Sequence, residues 1–208
     1  MRVNVLGNGD NAGMFQRGTK GKLLVCNMPP FELTAKEVHA TCMVDFKMMN
    51  ALTKGQIQLD MYDWILGTRP RKWMEMRPDF YMKYAQKIKA FYQHVPKYAI
   101  LEDGAHMAPT NFNCGHLAVH YACNKMMATE VHIYGFDSLF DMNLNSFTDL
   151  LLESDRSDNN TYRLNNNWRR IWPNIFKEFP EVKFYLYHPH NKLKIEVGDN
   201  VECRTVSA

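Results

Sequence analysis

A short apolar strand runs directly into a glycine-rich turn at the start of the chain: Val3-Asn4-Val5-Leu6, then Gly7-Asn8-Gly9-Asp10-Asn11-Ala12-Gly13. No other stretch constrains the fold as strongly. In an α/β fold such a turn brings backbone N–H groups up to a phosphate. Glycine permits the close approach, and a helix that follows turns its positive end toward the anion. The strand begins at residue 2, so the expectation is a chain with no cleaved leader and a nucleotide site in a cytoplasmic α/β protein.

The spacing of the turn is G-x-G-x-x-x-G and not the dinucleotide-binding G-x-G-x-x-G. The next apolar run, Lys22-Leu23-Leu24-Val25-Cys26, ends in Asn27, where an NAD-binding fold places an acidic residue for the ribose hydroxyls. An amide offers two donors and an acceptor, which suits a base edge or a ribose oxygen. The pattern therefore argues against a nicotinamide enzyme. It leaves open a plain βα turn without a ligand, since glycine also serves tight turns.

Composition narrows the class further. A chain of 208 residues is a single domain or a tightly fused pair, with one domain over 1–208 expected, and can bury roughly 70% of its unfolded surface. Net charge is +3, too small to call for nucleic acid by itself. The charge is uneven, with Arg69, Arg71, Lys72 and Arg77 in one basic stretch, and Arg163, Arg169 and Arg170 beside Trp168 and Trp172 in another. Such stretches are solvated faces or contacts to a phosphate-bearing partner. The five cysteines form no C-x-x-C pair, and four lie in apolar runs, which reads as reduced, buried thiols without a zinc framework. No apolar run approaches ~20 residues, so no membrane span and no membrane partner are expected.

Apolar segments recur at Val3–Leu6, Leu23–Cys26, Ala40–Phe46, Trp64–Leu66, Tyr98–Leu101, Val131–Tyr134 and Val182–Tyr187. Helical periodicity is clearest over Phe80–His94 and Cys114–Met127. Strands alternating with helices predict a mainly parallel sheet flanked by helices. The polar run Glu153–Asn167 reads as a loop, part of an active-site loop at about 141–167. In open parallel sheets the ligand crevice lies outside the carboxyl ends of the strands, which singles out Asn8, Asn27, Asp45 and Asp137. Asn113-Cys114-Gly115 opens a helix and offers an N-terminal anion site with Asn113 as cap. With no lysine in a Walker pattern, the set reads as a nucleoside pocket and not as a phosphotransferase or hydrolase.

Gly7-Asn8-Gly9, Cys26-Asn27, Val44-Asp45-Phe46, Asn113-Cys114-Gly115 and Ile133-Tyr134-Gly135-Phe136-Asp137 resemble, in order and spacing, the bacterial sialyltransferases of the Campylobacter type. In that family the first strand ends G-N-G-P-S, the second C-N, the helix opens T-S-G, and the next strand ends S-G-I-D-F. The resemblance covers roughly residues 1 to 190. It implies a Rossmann-like glycosyltransferase fold, a variant of the GT-A type. It also implies a metal-independent reaction with no cofactor and a nucleotide-sugar co-substrate, CMP-sialic acid in the family. By position it implies donor contacts from Gly7, Asn8, Gly9, Asn27, Asn111, Asn113, Cys114, Gly115 and Arg163. Asp45 stands where the family has an asparagine, and Cys114 where it has a serine.

The chain departs from the family at the chemistry. The family's loop carries D-N-S-H-Y and a catalytic histidine three residues later; here the stretch is Asp158-Asn159-Asn160-Thr161-Tyr162, followed by Asn165. An asparagine cannot accept a proton, so a carboxylate is expected to act as base. Asp158 comes first, with Asp45, Asp137 and Asp155 behind it, and Tyr162 donates to the leaving phosphate. The family's membrane-associating tail is missing, which points away from a glycolipid acceptor and toward a saccharide or a modified base in DNA. A nucleotide-binding module without catalysis is the alternative. His116 and His120 have zinc-compatible spacing but no evident third ligand, so packing or capping is expected and no metal is assigned. His188-Pro189-His190 is the best place for a displaced histidine base.

Overall fold

The computed structural model describes residues 1–100, 112–140, 158–190 and 192–205, with the backbone alone for 158–167. Its strands are β1 (Arg2–Leu6), β2 (Lys22–Cys26), β3 (Ala40–Met43), β4 (Trp64–Leu66), β5 (Ile88–Phe91), β6 (Glu130–Tyr134), β7 (Lys183–Tyr187) and β8 (Val201–Arg204). They form one sheet in the order β5-β4-β3-β2-β1-β6-β7-β8, parallel at every pairing. The expected α/β architecture, a parallel sheet flanked by helices, is what the chain adopts.

Both faces of the sheet are covered, which explains why its central strands read as nearly continuous apolar runs. Side chains alternate: Val3, Val5, Leu24, Cys26 and Cys42 join one core, while Leu6, Leu23, Val25 and Met43 join the other. Helices α1 (Phe46–Thr53) and α2 (Thr68–Glu75) cover the second face, followed by the short α3 (Pro78–Tyr84). The first face carries α4 (Cys114–Asn124) and α5 (Asp158–Glu178). Helix α4 is buried nearly all round, between the sheet and α5. Its Ala118 and Ala122 let backbones approach closely.

Several segments differ from the sequence-based expectation, among them the predicted strand Ala40–Phe46, which ends at Met43 before Phe46 opens α1. The predicted helix Phe80–His94 stops at Tyr84, and Ile88–Phe91 becomes edge strand β5, paired with β4 as Trp64↔Ile88 and Leu66↔Phe91. Sheet pairing overrides a weak helical period there. Tyr98 and Ala99 lie in a short 3-10 turn after Pro96, and Leu101 falls outside the described residues. Residues 158–167, predicted as loop, are the first turns of α5. That helix is anchored by Ile171, Trp172, Ile175 and Phe176, all at most 2% exposed. Once such a nucleus forms, each further residue adds a hydrogen bond at little loss, so a polar segment can extend it. The edge strand β8 had no predicted counterpart.

Three buried polar residues, Asn4, Thr41 and His132, sit on the central strands and are hydrogen-bonded there. His132 is stacked on Tyr185 and Tyr187, its Nδ1 lies 2.7 Å from the Tyr187 hydroxyl, and its Nε2 lies 3.0 Å from Glu130 Oε1. Burial pushes its pKa down to about 4, from 6.5. The folded imidazole therefore stays neutral where the unfolded one is protonated. Its contribution is complete above pH ~6.5 and is lost as pH falls toward about 4, by up to ~3 kcal/mol. Thermal melts should decline over that window, and His132→Gln should flatten the decline. Identical slopes in both proteins would contradict this.

Candidate functional site

The chain leaves β1 toward β2 but leaves β6 toward β7, so the carboxyl ends of these neighbouring strands flank the switch point of the sheet. A crevice at such a point is where open α/β sheets hold ligands. Here the two turns are drawn tightly together. The Gly7 N–H donates to the Tyr134 carbonyl at 2.7 Å, and the Gly9 N–H to the Gly135 carbonyl at 2.8 Å. A Cβ at Gly7 would stand 2.7 Å from the Gly135 oxygen, and one at Gly9 would stand 2.7 Å from both that oxygen and Asp137 Cγ. Gly135 itself has φ +76°, a left-handed conformation that favours glycine.

Asp137 closes this junction from inside. It is buried, with Asn11 Nδ2 donating to Oδ1 at 2.9 Å and the Asn11 backbone N–H to Oδ2 at 3.3 Å. Burial pushes its carboxyl pKa up, and the donors of Asn11 and Asp10 draw it back. The glycine turn thus carries a carboxyl group supplied by the chain itself. Contrary to the simple sequence picture, the N–H groups of Gly7 and Gly9 serve neighbouring carbonyls and do not face outward to a phosphate. The Asn8 side chain links the turn to the next strand end by donating to the Met28 carbonyl at 2.8 Å.

The ends of β2 and β3 continue the same edge. Asn27 has φ +58°, a conformation asparagine tolerates better than most residues, and is held by its N–H to the Cys42 carbonyl at 2.9 Å. The Thr41 hydroxyl donates to the Asn27 carbonyl. Asn27 Oδ1 lies 3.6 Å from the Cys114 thiol, which also donates to the Cys42 carbonyl. Burial pushes the Cys42 and Cys114 thiols up, so both stay protonated and are poor nucleophiles. All five cysteines are free, and all but Cys203 are buried. Asp45 precedes α1 and pairs with Arg69 Nη1 at 3.4 Å, both side chains partly exposed.

Helix α4 enters the same edge with a built cap. Asn113 Oδ1 accepts from the His116 N–H at 3.0 Å, and the Asn113 N–H donates to His116 Nδ1 at 3.0 Å. The opposite ring nitrogen donates to the Trp168 carbonyl at 3.1 Å, fixing the tautomer and pinning α5 to α4. Gly115 is required because the Phe136 ring fills the place of its side chain; a Cβ there would lie 2.1 Å from Phe136 Cε1. His116 thus takes the capping role expected of it and does not pair with His120. His120 instead meets His94 and Glu178, away from this edge.

Trp168 and Arg169, whose Nε donates to the Ser138 carbonyl, hold α5 against the crevice's flank. The backbone of Asp158, Tyr162 and Arg163 lies in the turns that precede, so these three belong to the first turns of α5 and not to a loop. Asn111 and Asp155 lie outside the described residues. His188 is buried at the end of β7, stacked on Phe140 at 4.2 Å, with Nδ1 accepting from the His190 N–H at 3.1 Å. In the two basic stretches, Trp73 and Trp172 are core residues, with Arg77 lying over Trp73 at 4.0 Å. These indoles pack the fold and offer no stacking platform to bases. No family model, curated protein or solved structure matches this chain.

Sequence reasoning found the strand-end residues but missed Asn11, Thr41 and Arg69, which hold Asp137, Asn27 and Asp45. The only available signal was their proximity to strand ends. Gly9→Ala should lower stability by roughly 1–3 kcal/mol, since the extra methyl meets backbone and a buried carboxylate. Gly13→Ala, with open space around its missing Cβ, should change it far less. Denaturant melts of the two variants check this, and equal losses would contradict the close approach.

Proposed function

We propose that this chain is a glycosyltransferase that moves a sugar from a nucleotide-sugar donor to an acceptor hydroxyl, without a metal at the donor phosphate. The observation that carries the reading is convergence. The β1 turn, Asn27, the Asp45–Arg69 pair and the capped start of α4 all lie along the carboxyl ends of the parallel strands, from the switch point between β1 and β6 outward to β4. The likeness of these segments to the sialyltransferase motifs supports the same reading. Asn8 and Asn27 would contact the nucleotide, and the first turn of α4 would meet phosphate charge. In the transfer step the base takes the acceptor proton, the alkoxide-like oxygen bonds to the anomeric carbon, and the nucleotide departs with the glycosidic electron pair. Tyr162 and Arg163 would stabilise that leaving phosphate.

Asp158 is proposed as the base. Asp137 is assigned a positioning role, because both of its oxygens are engaged by Asn11. Asp45, half exposed beside Arg69, is the next carboxylate at the edge. The acceptor is proposed to be a saccharide. A nucleic-acid acceptor draws support from a cleft of about 680 Å³ whose lining includes Arg170, Lys177 and Lys194 along with Glu196.

A thermal-shift panel of CMP, UDP, GDP and their sugars should find one preferred donor, since binding stabilises the folded chain by mass action. Asn27→Ala should abolish that shift. With the donor known, Asp158→Asn should cut kcat by about 10²-fold or more with donor affinity kept. Asp137→Asn should weaken donor binding and stability together, and omission of Mg²⁺ and Mn²⁺ should leave the rate unchanged. An active Asp158→Asn beside a dead His188→Ala would overturn the assignment of the base. An unaltered shift in Asn27→Ala would place the pocket elsewhere.

A further inference from the structure

His94, His120 and Glu178 come from three separate parts of the chain: the segment after β5, the second turn of α4 and the last residue of α5. Their ligand atoms all lie within 4.8 Å of one another. The two imidazoles stack with centroids 4.8 Å apart, and His120 Nε2 stands 2.7 Å from Glu178 Oε2. His120 is 1% exposed, whereas Glu178 is about a third exposed and His94 faces solvent, so the cluster has a buried wall and an open side.

We propose that these three side chains form a Zn²⁺ site. Two imidazoles and one carboxylate, with a fourth position open to water, are a donor set that suits this borderline cation. The surrounding residues are arranged as an outer shell would be. The Tyr92 hydroxyl meets His120 Nδ1 at 2.5 Å and accepts from Asn124 Nδ2 at 2.9 Å. The Tyr98 hydroxyl donates to Glu178 Oε1 at 2.8 Å. Each contact leaves the other atom of its ligand, Nε2 or Oε2, turned toward the shared centre, as oriented metal ligands require.

The geometry also says what the ion replaces. At 2.7 Å, His120 Nε2 and Glu178 Oε2 share a proton. Zinc bonds of about 2.0–2.1 Å in tetrahedral array set ligand atoms about 3.3 Å apart, so entry of the ion displaces that proton and parts the pair by roughly 0.5 Å. Glu178 ends a helix and can make this adjustment, and His94, in an exposed connecting segment, would turn its ring out of the stack to reach the ion. The bound ion would clip the chain leaving edge strand β5 to α4 and α5. His120 lies seven residues beyond Asn113, about 10 Å along the α4 axis, so the clip is separate from the strand-end crevice.

The test uses the full chain, stripped with a chelator and desalted, then titrated with Zn²⁺ by calorimetry and assayed for retained metal by mass spectrometry. Expected are one zinc per chain, a raised melting temperature, and a Co²⁺ derivative with the visible bands of a four-coordinate site. His94→Ala and Glu178→Gln, both at solvent-facing positions, should weaken binding by roughly 100-fold or more, and Tyr98→Phe by about 10-fold. Absence of stoichiometric zinc on the wild-type chain overturns the proposal. So does wild-type affinity in either ligand variant, which would assign the metal to thiols or to the His188–His190 pair. Nucleotide-induced thermal shifts on the same variants are expected to persist, so failure here leaves the glycosyltransferase reading to its own test.

Discussion

The approach of the β1 turn to the β6 turn is the contact on which the rest of the edge depends. Two backbone hydrogen bonds, from Gly7 to Tyr134 and from Gly9 to Gly135, join loops that the sheet order would otherwise let diverge. Glycines at both positions are demanded by the 2.7 Å clearance an added methyl would have. Asp137 then fills the space at Gly9 and is gripped by Asn11. A buried carboxylate with several donors is stable only while all of them are in place, so this junction is rigid or it is lost. From it the order spreads outward: Asn8 to Met28, Asn27 to Cys42 and Thr41, Cys114 to Asn27, and Phe136 onto Gly115.

An internal carboxylate at a glycine turn changes what the turn can do. The N–H groups expected to cradle a phosphate partly serve Asp137 and the β6 carbonyls. A donor approaching this edge would find its polar contacts on the side chains and amides around that core. The turn therefore serves as a scaffold for Asn8. The metal cluster proposed on α4 follows a different logic, since its ligands converge on the helical face and clip the chain from edge strand β5 to α4 and α5.

Much of the sheet was legible because a parallel strand buried on both faces announces itself as an apolar run, as Leu23 to Cys26 and Val131 to Tyr134 do. Edge strands lack that signature. Ile88–Phe91, with Lys89 exposed, falls inside an apparent helical period, and Val201–Arg204, with its alternating charges, gives no apolar run. The first turns of α5 were read as loop because their polar residues give no period of their own; the helix is nucleated by Ile171 to Phe176 beyond them. For the site, strand-end residues could be named in advance because parallel topology sends every strand end to one edge. Partners distant in sequence could not: Asn11 and Asp137 are 126 residues apart, and His120 and Glu178 are 58 apart. No local pattern carries such a contact.

The account stands or falls on whether a nucleotide binds at the switch point of the sheet. Amide hydrogen–deuterium exchange, with and without the preferred nucleotide sugar, measures this most directly. Slowed exchange is expected in the peptides spanning Leu6 to Asn11, Cys26 to Met28 and Asn113 to Leu117, with little change over β8. Protection confined to the basic cleft around Arg170, Lys177 and Lys194, or no protection with any nucleotide, would contradict it.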